Sequence, residues 1–178
     1  EPFYENYGPD AIVSGATPRF VRLREPDWHF DPDELSAAFS NRTRAIIINT
    51  PNNPTGKVFT REELEFVASL CREFDALCFT DEIYEYFVFD GRRHISPATI
   101  ERIADRTITI SGYPKTFSIT GWRIGYAAGP ETLIKAMTMI QGQQTSGACT
   151  IAQWASVEAL NGPQDFVQKN KAIFQNRR

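Results

Sequence analysis

Lys115 and Arg123 stand eight residues apart in SGYPKTFSITGWRIGY (111–126), a stretch with no other charged side chain. An ammonium group is costly to bury unless it is paired or chemically altered. Held near a guanidinium among small and aromatic residues, it reads as a nucleophile beside an anion clamp. Taken singly, Lys115 reads equally as a snorkelling surface lysine and Arg123 as half of a surface ion pair. Upstream, FTDEIYEYF sets Asp81 and Tyr84 three residues apart. A buried carboxylate there would need a cationic partner, with the phenol donating a hydrogen bond one turn away. The plainer alternative is a helix-starting acid and a core aromatic, and Glu82 and Glu85 are expected to be solvated or structural. NTPNNPTGK (49–57) is a turn of Pro, Asn and Gly that brings Asn53 to the end of a strand. Only its Gly56-Lys57 matches a nucleotide phosphate loop, and Val58 stands where that loop needs a hydroxyl. Tyr4, in EPFYENY, reads locally as a core aromatic. Ser111, Ser118 and Thr120 have no His–acid pair nearby, which argues against a serine hydrolase. His29 and His94 stand alone and carry no assigned chemistry.

The elements that would position these residues alternate between strand and helix. PRFVRL (18–23) reads as a strand, and DPDELSAAF (31–39) as a helix with Asp31 at the N-cap and Pro32 at the first helical position. RAIIINT (44–50) has the look of a strand buried on both faces. Thr60 opens a helix and Glu63 completes its capping box, with Leu64, Val67, Ala68, Leu70 and Cys71 as the apolar stripe. ALCFTDE (76–82), TITIS (107–111) and WRIGYAAG (122–129) read as further strands. ETLIKAMTMIQGQ and CTIAQWASVEALN read as helices, the second stopped by Gly162-Pro163, and FVQKNKAIFQNRR continues the helical pattern. Strand and helix in alternation imply right-handed crossovers and an α/β fold in three layers, α/β/α, around a mostly parallel sheet. Ligands in such sheets sit beyond the carboxyl ends of the strands, where Asn53, Asp81 and Lys115 all fall.

The 178 residues are 42% hydrophobic and 23% charged, with a net charge of −3, an ordinary soluble composition. No Lys/Arg cluster tracks a nucleic-acid backbone, and no apolar run approaches the roughly 18 residues that span a bilayer. Cys71, Cys78 and Cys149 are odd in number and lack C-x-x-C spacing. They are expected to be buried thiols in a reducing cytoplasm, with no disulfide framework and no metal site. The chain begins at Glu1 and ends within a helical pattern, so it is expected to be a piece of a longer protein.

The series NNPTG, TDEIYEYF and SGYPKTFSITGWRIGYAAGP, with EPFYENY ahead of it, resembles the class I/II pyridoxal-phosphate-dependent aminotransferases of fold type I. The tail QGQQTSGACTIAQWASVEALNGPQDF looks most like bacterial aspartate aminotransferases and their relatives. The likeness runs over about residues 1 to 170. It implies that Lys115 attaches covalently to the cofactor aldehyde and then serves as acid and base at the substrate's alpha carbon. Asp81 would face the pyridine nitrogen, Asn53 and Tyr84 the phenolic oxygen, Arg123 the phosphate, and Tyr4 the ring face. It also implies an amino acid donor, aspartate-like in one version, a 2-oxo acid acceptor, and a cytoplasmic homodimer active in amino acid biosynthesis. Residues 1–178 would form a segment of the cofactor-binding large domain. The phosphate cup would lie upstream, and the arginine for the substrate carboxylate downstream in a small domain. A pyridoxal-phosphate lyase or decarboxylase, or the cofactor-sensing domain of a transcription regulator, would use the same residues. Many relatives carry a serine three residues before the lysine, where this chain has Gly112. Ser111 is adjacent, and Pro114 fixes the backbone before Lys115.

Overall fold

The computed structural model describes residues 1–178. Four strands form the central sheet: β3 (Ala45–Asn49), β4 (Leu77–Asp81), β5 (Thr107–Ser111) and β6 (Tyr126–Ala128), in the order β3-β4-β5-β6. The first three run parallel and β6 is antiparallel to β5. β1 (Leu23–Arg24) and β2 (His29–Phe30) make a separate antiparallel pair. Helices α1 (Tyr7–Val13), α2 (Pro32–Ala38), α3 (Arg61–Glu73), α4 (Glu131–Gln144), α5 (Thr150–Asn161) and α6 (Asp165–Arg177) complete the chain. A mostly parallel sheet flanked by helices is the expected α/β architecture.

Local chemistry explains where these elements begin. Asp31 accepts the backbone N–H groups of Asp33 and Glu34, which caps α2 and places Pro32 where its missing N–H costs nothing. Thr60 and Glu63 form a reciprocal capping box at α3. The α3 stripe of Leu64, Val67, Ala68, Leu70 and Cys71 is buried as its spacing predicts. Burying Leu64, Val67 and Leu70 contributes about 1.5–3 kcal/mol each before entropy is counted. They join Phe30, Leu35, Phe39, Ile48, Phe59 and Cys78 in one core on a single face of the sheet.

Several expectations are corrected. The strand at 18–23 is reduced to Leu23–Arg24, since only these residues find a partner, in His29–Phe30. The isoleucine strand is not buried on both faces. β3 is an edge strand here, and Ile47 is 43% exposed on the face opposite Ile48. The strand at 122–129 shrinks to Tyr126–Ala128, because Thr120–Trp122 turns as a 3-10 helix and Arg123 adopts a left-handed φ of 52°. Cys71 and Cys78 are buried, but Cys149 is exposed at the start of α5. Of the two expectations for Glu82, solvated or structural, burial to 2% exposure selects the structural one. No helix is long and apolar enough to cross a membrane.

Candidate active site

Register brings the polar residues together. Asn49, Asp81 and Ile110 lie side by side at the carboxyl ends of β3, β4 and β5. Asn53 follows in the turn after β3, and Lys115 in the turn after β5. In that second turn Phe117 N donates to Tyr113 O at 2.9 Å and Ile119 N to Pro114 O at 2.9 Å, curling the backbone around Lys115. The Lys115 Nζ sits 5.9 Å from the centre of the Tyr84 ring. Tyr84 is half-buried, and burial, followed by the nearby Asp81 and Tyr4, pushes its phenol above the ordinary value of 10. It therefore stays a hydrogen-bond donor at neutral pH.

Asp81 is held by four residues. Tyr7 donates its hydroxyl to Asp81 Oδ2 at 2.6 Å, and Ile83 N donates to Oδ1 at 3.1 Å. The Asp81 carbonyl takes Asn49 Nδ2 at 2.9 Å and Thr50 N at 3.0 Å. Burial and then the hydrogen bond to Asp81 push the Tyr7 phenol far up, so it remains the donor. The Tyr4 ring is 40% exposed and meets Tyr7 edge-on at 5.7 Å. Tyr4 thus approaches Asp81 through Tyr7.

Arg123 stands apart. It is exposed, and its Nη1 donates to the carbonyl of Thr120 at 2.9 Å rather than to another candidate residue. That engages one of the five guanidinium donors. Ser111 does not face this group, because its Oγ lies 3.3 Å from Glu82 O and 3.4 Å from a Glu85 carboxylate oxygen. Gly112 has a steric reason: a Cβ there would come within 3.0 Å of Gly125 Cα and 3.1 Å of Ile124 O. Two surface hollows of about 440 and 420 Å³ lie elsewhere, one along Glu1–Phe3 and one along Ala127–Gly129 and α4. The candidate site lies instead beyond the carboxyl ends of β3, β4 and β5, where Asn53, Asp81 and Lys115 fall.

On the opposite side of β4, Glu82 is the centre of a buried network. Its Oε1 accepts from Thr80 at 2.7 Å, Ser96 at 2.8 Å and Thr109 at 3.3 Å, and its Oε2 lies 2.6 Å from His94 Nε2. Burial alone would raise its carboxyl, but the bonds from His94, Thr80 and Ser96 outweigh it and hold the group below its ordinary 4.5. Tyr7, Asn49 and the Glu82–His94 pair were not singled out by spacing, because each contact joins segments remote in sequence.

The donor set suits a phosphorylated aromatic aldehyde. A carboxylate can face a ring cation, a protonated phenol and an amide can face a phenolic oxygen, and an amine stands beside them. For a phosphate, Arg123 is the candidate cation and keeps donors beyond the one given to Thr120 O, while Ser111 Oγ is engaged by Glu82 O and Glu85.

Comparison with known proteins follows the same line. The family model described as aminotransferase class I and II matches residues 1–178. An aspartate/prephenate aminotransferase of Cereibacter sphaeroides is 44% identical over 183 residues, covering 99% of the chain and 45% of that relative. Human kynurenine–oxoglutarate transaminase 1 is 40% identical over 185 residues, covering 98% of the chain and 44% of the relative. The crystal structure of the aspartate aminotransferase from Rhizobium meliloti superposes with a TM-score of 0.93 at 36% identity, covering 99% of the chain and 45% of that structure. The chain thus spans a little under half the length of the relatives it matches.

Proposed function

The chain belongs to the aminotransferase class I and II family, and from that premise we propose that it is the cofactor-holding part of a pyridoxal-phosphate-dependent transaminase. Members of this family depend on pyridoxal phosphate. The proposed reaction moves an amino group from an amino acid to a 2-oxo acid. The matched relatives are named for aspartate, prephenate and kynurenine. Aspartate with 2-oxoglutarate is therefore the first pair to test. We further propose that residues 1–178 are a segment of the large domain of a cytoplasmic homodimer serving amino acid biosynthesis. The lyase alternative is not favoured, since the matched relatives carry transaminase names.

One observation carries the reading: Asp81 ends β4, Asn53 and Lys115 follow the carboxyl ends of the parallel strands β3 and β5 paired on either side of it, and the Tyr84 ring lies 5.9 Å from Lys115 Nζ. Pyridoxal phosphate, when bound, supplies an aldehyde for covalent attachment and a ring that accepts electrons. Lys115 Nζ would be the attaching nucleophile, and as a free amine, once the substrate's amino group had taken its place, it would move a proton at the substrate's alpha carbon. Asp81 holds a proton on the ring nitrogen by charge, with its own geometry fixed by Tyr7 and Ile83 N. Tyr84 and Asn53 donate to the phenolic oxygen, Tyr4 covers a ring face, and Arg123 turns its free donors to the phosphate.

The test uses the full-length protein loaded with pyridoxal phosphate and reduced with borohydride. Peptide mass analysis should find the cofactor fixed to Lys115, and Lys115→Ala should carry none. With aspartate as donor, product should depend on added 2-oxoglutarate. A trapped adduct on another residue, or keto acid formed equally without acceptor, would refute the assignment.

A further inference from the structure

We propose that Asn49 is a positioning residue that sets Asn53 and Asp81 at a fixed separation, an inference that rests on the cofactor reading above. Asn49 is 5% exposed, and its side chain makes three hydrogen bonds to the backbone. Its Oδ1 accepts the Asn53 N–H at 2.7 Å. Its Nδ2 donates to the Asp81 carbonyl at 2.9 Å and to the Pro51 carbonyl at 3.1 Å. The first bond fixes the backbone that carries the Asn53 amide. The second fixes the backbone that carries the Asp81 carboxylate. The third closes the turn between β3 and Asn53.

Strand pairing alone does not supply this restraint. The β3–β4 ladder ends at the Asn49–Asp81 pair, with Thr50 N reaching back to Asp81 O at 3.0 Å. Asn53 lies four residues beyond the ladder. Among side chains, only a planar amide offers an acceptor and two donors at this reach with no net charge. Aspartate would keep the acceptor and lose both donors, while leucine or alanine would lose all three bonds. In the proposed site, Asn53 and Asp81 would serve two groups of one rigid ring, the phenolic oxygen and the nitrogen. Displacing one against the other would misfit the cofactor while leaving both side chains intact.

The experiment compares wild type, Asn49→Ala, Asn49→Asp and Asn53→Ala in the full-length protein by two readouts. The first is amide hydrogen exchange without cofactor. Asn49→Ala should speed exchange in the 50–57 segment by roughly tenfold, as expected for loss of a buried hydrogen bond, and leave 107–111 unchanged. Asn49→Asp keeps the oxygen that takes the Asn53 N–H and should retain most of that protection. The second is the pH midpoint of the bound cofactor's absorbance change. Asn49→Ala should raise it by about half a unit or more, in the direction of Asn53→Ala. The double variant should move no further than Asn53→Ala. A general loss of protection that includes 107–111, or an unmoved midpoint in a protein that still traps cofactor on Lys115, overturns the positioning role. Failure of both Asn49 variants to fold would make Asn49 a folding residue and overturn it too. A wild type that traps no cofactor refutes the functional reading separately, and the cofactor-free exchange still decides whether Asn49 restrains Asn53.

Discussion

At the scale of single residues, Tyr7 is the contact with the most immediate chemical consequence. Its hydroxyl donates to Asp81 Oδ2 at 2.6 Å, a bond to a charged acceptor worth about 1.5–3 kcal/mol. Tyr7→Phe keeps the ring against Phe3 and Tyr4 and deletes that bond alone. Transamination by the full-length protein should fall by roughly tenfold, since about 1.4 kcal/mol is a factor of ten. In an Asp81→Asn background the same change should cost little more, because Tyr7 acts through the carboxylate. Fully additive losses would show that Tyr7 works elsewhere. The placement of Asp81, Asn53 and Lys115 was legible in the sequence, because each follows a short apolar run and such runs end at one edge of a parallel sheet. Tyr7 was not legible: its partner is 74 residues away. Asn49 looked like an ordinary residue within the 44–50 strand, and nothing local reveals that its amide reaches Asp81, 32 residues on.

At the scale of elements, the buried Glu82 joins β4, β5 and the 94–96 segment behind the site. Its carboxyl is held below the ordinary 4.5. Its stabilising contribution is therefore fully present above about pH 4.5 and disappears as pH falls through the lower, folded value. Glu82→Gln keeps the shape and loses the charge, and should cost about 2–3 kcal/mol near neutrality. Thermal melts of both proteins should converge as pH drops below 4.5. A gap that persists unchanged into strong acid would contradict the charged network. Element boundaries were legible where caps are local, as at Asp31 and Thr60–Glu63. They were not where pairing decides, as at 18–23 and 122–129. Helix α1 was missed because its seven residues, YGPDAIV, carry a Gly and a Pro and no apolar period. Burial was misjudged at Ile47 for a related reason: an apolar run reports what a strand can bury, whereas the layers around the sheet decide what it does bury.

At the scale of the whole molecule, α4, α5 and α6 leave much of their apolar surface open. Met139, Ile151 and Trp154 are 68%, 70% and 71% exposed, and α4 has no buried residue at all. Exposed apolar surface on this scale favours association. The 178-residue chain by itself should sediment as oligomers or aggregates. Given aspartate, 2-oxoglutarate and excess pyridoxal phosphate, it should form no more glutamate than its Lys115→Ala form, since poorly positioned groups lose roughly a hundredfold or more in rate. Monomeric behaviour together with turnover above that control would refute both expectations. The strand order has a consequence of another kind. In β3-β4-β5-β6 every strand lies beside its neighbour in the chain, so among these four no later strand is inserted between two earlier ones. During synthesis the sheet can grow at one edge as each strand leaves the ribosome. Asn53 emerges first, Asp81 follows with β4, and Lys115 leaves the ribosome only after β5. Lys115, the proposed nucleophile, is thus the last of the three to be delivered, after β3 and β4 have both become available to pair.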